Sequence, residues 1–184
     1  MANIGLFLPV DDKLLRSYID SNYDNDTLAA VIFTQQDLHI KPLSGSGLYD
    51  EIEDQIIAGS LTALNTTLRD LTRHALRFYV LADWQFEASA KNTNKGSQQM
   101  DGNSSRSSEE KMLVQRVQRY LDKAQVYAQR VSDYLYENST SYPLYNNPGS
   151  GVDTIYPNRK NYSTGWVMDT PDDYYDQHLD SPSP

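Results

Sequence analysis

The chain has 184 residues, no cysteine and a formal net charge of -9. The length suits one domain with extensions. The absence of thiols excludes disulfides and thiolate metal sites, and the acidic balance argues against a nucleic-acid grip or an anionic membrane surface, both of which need clustered Lys and Arg. An acidic face beside DNA repels it, which suits a smooth conduit and not a clamp. The opening MANIGLFLPVDDK has too short an apolar run and no basic lead for a signal peptide, and no run is long enough to span a membrane. These features predict a soluble protein made in a cytoplasm.

Taken in order, residues 1–26 read as an N-terminal arm. A short amphipathic helix with Leu14, Leu15, Tyr18 and Ile19, capped by Asp11 or Asp12, is an alternative to an extended course. From Asp26 to Ile40, Leu28, Val31, Ile32, Gln35 and Leu38 mark one face of a helix capped by Asp26 or Thr27. Lys41-Pro42 is expected to stop it, because proline disfavours helical geometry in the residue before it. Ser44-Gly45-Ser46-Gly47 reads as a turn and not a phosphate loop, since no GK[ST] ending follows. Leu48 to Ile57 is a short helix whose Asp50, Glu51, Glu53 and Asp54 fall in its first turns, where the helix dipole favours negative charge.

After Gly59-Ser60 come two long apolar-striped segments. Leu61, Leu64, Leu68, Leu71, Ala75, Phe78 and Ala82 alternate steps of three and four. Leu113, Val117, Tyr120, Ala124, Tyr127, Val131 and Tyr134 do the same, with a parallel stripe at Val114, Leu121, Ala128 and Leu135. That spacing predicts two helices of roughly 40 to 45 Å, packed antiparallel along their apolar faces. Residues 91–107 join them through a turn at Asn94-Lys95-Gly96. Ser107-Ser108-Glu109-Glu110 fits a capping box for the second helix. The fold class is therefore mainly α: a small helical domain over residues 27–140 built on a long antiparallel helix pair plus two shorter helices. Extended N- and C-terminal arms flank it. The C-terminal arm, 141–184, is rich in Tyr and Pro and poor in aliphatics, so its rings suit contact with neighbouring molecules.

No chemical constellation emerges. His39, His74 and His178 are isolated in sequence with no metal-ligand spacing, and His74 reads as a buried or half-buried structural residue. A small hydrolase using Asp50, Glu53 or His74 requires at least two of these to converge in a pocket. A regulatory or adaptor module using the acidic helix face to bind a basic partner is a further alternative. No catalytic residue, cofactor or metal ligand is assigned.

Three stretches carry a resemblance to a known family: DLHIKPLSGSGLYDEI (Asp37 to Ile52), ALRFYVLADWQFEASAKNTNKG (Ala75 to Gly96) and YAQRVSDYLYENSTSYPLY (Tyr127 to Tyr145). In their order and spacing they resemble the head–tail connector, or head-completion, proteins of tailed phages, of the kind found in Bacteroidetes-infecting and crAss-like phages. Leu43-Ser44-Gly45 departs from the leucine-glycine pair more usual there. The resemblance implies a non-enzymatic virion protein of the phage neck, made in the host bacterial cytoplasm. Such proteins form a ring, commonly of twelve copies, that binds the portal and the next neck or tail protein while DNA passes through without specific binding. The interaction residues expected on this reading are Asn94, Lys95 and Gly96 in the loop, and Tyr142, Pro143, Tyr145, Tyr156 and Trp166 in the C-terminal arm.

Overall fold

The first striped segment folds as helix α5 (Ala63–Ser89) and the second as α6 (Arg106–Glu137) in a computed structural model, which describes residues 4–19, 24–89, 92–93, 96–97 and 106–158. The two helices run antiparallel. Near their connection the Arg116 guanidinium donates to Gln85 Oε1 at 3.2 Å, midway Phe78 stacks on Tyr120 and Tyr127, and at the far end the Tyr142 hydroxyl donates to the Leu64 carbonyl. Leu68, Ala75 and Ala82 of the expected α5 seam are buried, as are Val117, Ala124, Val131, Ala128 and Leu135 of the two α6 stripes. Leu64 and Val114 are exposed. α5 buries more than one stripe, because Leu76, Tyr79, Val80 and Leu81 also face inward. Burial of each large aliphatic contributes about 1.5–3 kcal/mol.

The second covering layer comes from the N-terminal half. Helix α2 (Asn25–Gln35) starts two to three residues earlier than the composition suggests, with Asp24 accepting from the Thr27 amide. A π-helical turn, Gln36–Ile40, then widens the helix, closed by the Lys41 amide on the Gln36 carbonyl. The extra residue rotates the inward face: Gln36 and Ile40 become fully buried, while Leu38, expected inside, is 58% exposed. Pro42 does not end the helical path. The widened turn closes before it, so it occupies the first turn of α3 (Lys41–Ser44), where a missing N–H is tolerated. Helix α4 (Ser46–Ala58) also begins early, which leaves its carboxylates beyond the first turn, and Gly59 closes it in the left-handed conformation.

Residues 4–19, read from sequence as an arm, are part of the body. Asp12 caps the short helix α1 (Lys13–Arg16), and Phe7, Leu8 and Leu15 are fully buried. Gln36 Oε1 accepts from the Phe7 amide at 2.7 Å, Arg73 donates to the Phe7 carbonyl at 2.9 Å, and Arg77 forks onto both oxygens of Asp12 at 3.0 Å. Phe7 stacks on Tyr49 of α4 at 5.1 Å, so the segment packs against α4 as well as α5. Between α5 and α6, strands β1 (Asn92–Thr93) and β2 (Gly96–Ser97) pair antiparallel, Asn92 with Ser97 and Thr93 with Gly96. α6 already runs from Arg106, so Ser107 and Ser108 lie within its first turn and do not precede it as a capping box requires.

Candidate functional site: a glycine slot and its strap

After α6 a short 3-10 turn (Ser139–Ser141) leads into helix α7 (Pro143–Asn146), which packs under α4. Proline fits the first turn of α7, and Tyr142 and Tyr145 point into the core. The Tyr142 ring meets Tyr134 edge-on at 6.1 Å, and burial raises the pKa of its hydroxyl well above the ordinary tyrosine value. The chain then runs without helix or strand from Asn147 to Asn158 and crosses the α3–α4 junction as a strap.

That junction is shaped for the strap. Gly45 has φ 79° and ψ 156°, a backbone region that side chains strain. A Cβ on Gly45 would lie 2.9 Å from the Pro157 ring, and one on Gly47 would lie 2.8 Å from the Pro148 carbonyl oxygen. Between the glycines Ser46 bonds the strap in both directions: its amide donates to the Ile155 carbonyl at 3.0 Å, and its hydroxyl accepts from the Ile155 amide at 2.8 Å. The Asn158 amide donates to the Pro42 carbonyl at 2.9 Å. Pro148 and Pro157 are buried, whereas Tyr156 is 69% exposed. The slot takes the Pro157 ring against Gly45 and the Pro148 backbone against Gly47, and leaves Tyr156 outside.

The expected interaction residues therefore separate. Asn94, Lys95 and Trp166 lie outside the described residues. Gly96 belongs to β2 and pairs with Thr93. Pro143 and Tyr156 are exposed and remain available to a neighbour. Tyr142 and Tyr145 are corrected: the chain's own core takes up both rings, so neither offers a surface. Aromatic composition read the segment as outward-facing, but α7 folds it back beneath α4. Sequence reading took Gly45-Ser46-Gly47 as a turn and missed its role as a slot, because the segment that fills it lies 109 residues away.

Other chemistry-bearing groups have structural partners. His74 is exposed, not buried, and stacks on Tyr127 at 5.3 Å in an aromatic series that continues through Phe78 and Tyr120 to Tyr18. Lys123 over Phe78 and Arg130 over Tyr127 add cation–π contacts along it. Asp50 pairs with Lys41 at 3.4 Å, Glu51 accepts from Gln55 and Asn65, and burial pushes the Glu53 carboxyl up. The acidic face of α4 is thus largely engaged within the chain. Among the described residues no group of three or more His, Asp or Glu could hold a metal ion, and no helix is long and apolar enough to cross a membrane.

His39 stacks flat on Tyr79, 3.8 Å between centroids, and burial lowers its pKa below the ordinary 6.5 while Asp83 partly opposes the shift. The unfolded chain binds this proton more readily, so stability present above about 6.5 is lost as pH falls below it and through the lower folded value. Urea unfolding at about pH 5 and about pH 7.5 is expected to show a lower midpoint at the acid value, and His39→Gln should reduce that difference. An unchanged difference in the variant would assign the pH dependence to other groups.

A family model described as a family of unknown function, DUF6712, matches residues 40–155, more than half of the chain. The matched span contains both the slot and the strap residue Ile155 that pairs with Ser46. No curated protein and no solved structure gives a significant match.

Proposed function

The chain belongs to the DUF6712 family, and we propose that it is a structural subunit of the tailed-phage neck. Copies of it form a ring between the portal and the next neck or tail protein and extend the DNA channel. Twelve copies is the number its resemblance to connector proteins implies. The observation that carries this reading is the distribution of burial along the helix pair. The buried apolar residues of α5 and α6 fall between Leu68 and Ala82 and between Val117 and Leu135. On the connection side of that core α6 exposes Met112 and Val114, and Val126 is exposed farther along. The pair thus carries exposed apolar side chains along its length and a hairpin at its connection, outside its own core, as a subunit contacting neighbours requires.

The three stretches that resemble connector proteins fall on the slot and α4, on α5 up to the hairpin, and on α6 through α7. The net charge of -9 suits passage of DNA over a grip on it. Locating the protein tests the reading: cryo-electron microscopy of purified virions should place it as a ring beneath the portal vertex. Its absence from virions would overturn the reading. Deleting residues 148–184 is expected to weaken assembly while leaving the far-ultraviolet helical signal largely intact, because no helix lies in 148–158. Circular dichroism alongside native mass spectrometry checks both halves.

A further inference from the structure

We infer that the Gly45–Ser46–Gly47 slot is a docking site for the strap of a second copy of this chain, with Ile155 to Asn158 exchanged between subunits. The inference rests on the reading that copies stand side by side, and it adds the element that ties them. The slot's contacts are specific to this occupant: Pro157 fills the space left by the missing Gly45 side chain, and Ile155 pairs with Ser46 through both its N–H and its carbonyl. The same contacts form whichever copy supplies the strap, so exchange replaces like with like.

The segment leading to the slot is built to reach. Gly149 to Thr154 is exposed or half-buried, Val152 is fully exposed, and Gly149 holds a positive φ of 106°. Once the turn closed by the Thr154 amide on the Gly151 carbonyl opens, six residues of extended chain reach roughly 20 Å. Pro148 stays seated against Gly47 on its own body while the tip travels. In a ring the neighbouring slot is held at the high effective concentration that favours such an exchange.

Two full-length variants separate slot from strap. Gly45→Val closes the slot but keeps the strap. Ile155→Pro removes the amide that bonds Ser46 and so disables the strap but keeps the slot. Mixed one to one, the pair is expected to form a hetero-complex by native mass spectrometry beyond anything either variant forms alone, and to melt higher than either. A labelled peptide of residues 147–158 should bind the Ile155→Pro chain at least about tenfold more tightly than the Gly45→Val chain. Circular dichroism of each variant confirms that its helices are intact. A mixture that melts as its components do, with the peptide bound equally by both variants, overturns the exchange. The ring reading is judged separately by the mass of the wild-type assembly, so either can fail without the other.

Discussion

Gln36→Leu is expected to destabilise the folded chain by about 3–5 kcal/mol, and urea unfolding with an unchanged slope would report it as a lowered midpoint. Gln36 is fully buried at the π turn and serves three groups: it accepts from the Phe7 amide at 2.7 Å and donates to the Gly5 carbonyl at 3.0 Å and the Tyr49 hydroxyl at 2.8 Å. Leucine leaves all three buried groups without their Gln36 partner, and each such group costs about 1–3 kcal/mol. Tyr49→Phe removes only one of the three and should cost about 1 kcal/mol. Equal losses in the two variants would show that Gln36 does not hold the N-terminal segment as the geometry indicates.

Arg77→Ala is expected to cost about 3–5 kcal/mol, because it leaves the Asp12 carboxylate in a largely enclosed site with the Leu15 amide as its hydrogen-bond donor and the Arg73 charge nearby. Burial pushes Asp12 up, but the hydrogen bonds from Arg77 and Leu15 outweigh it and hold the carboxyl below its ordinary 3.8. A lowered folded value contributes stability above the unfolded value and loses it as pH falls through the folded one. Without Arg77 the carboxyl should titrate higher, so acid unfolding should begin at a higher pH than in the wild type. The double variant Asp12→Ser, Arg77→Leu keeps a helix cap and removes both charges, and it should recover much of the loss. A double variant as unstable as Arg77→Ala would assign the cost to lost packing of the arginine stem.

The helix pair was legible because its signal is local. Alternating steps of three and four put Leu68, Ala75, Val117, Ala124 and Val131 on facing seams, and the structure buries them. Signals that depend on distant partners were not. Nothing near Gln36 shows that its amide will be drawn inward by Phe7, Gly5 and Tyr49. The π turn and the outward rotation of Leu38 follow from that pull, as does the accommodation of Pro42. The strap was hidden for the same reason. Glycines 45 and 47 mark a turn in any sequence, but only the return of Pro148 and Pro157 shows why no side chain fits there. Tyr142 and Tyr145 misled in the opposite direction, since a Tyr-rich stretch after the last long helix reads as contact surface until α7 is seen to turn it inward.

Native mass spectrometry of the full-length chain, alone and with portal protein, tests the ring most directly. The expected result is a single closed oligomer, twelvefold if the connector resemblance extends to copy number, that persists when the portal is added. A monomer at every concentration, with no complex on the portal, would contradict it.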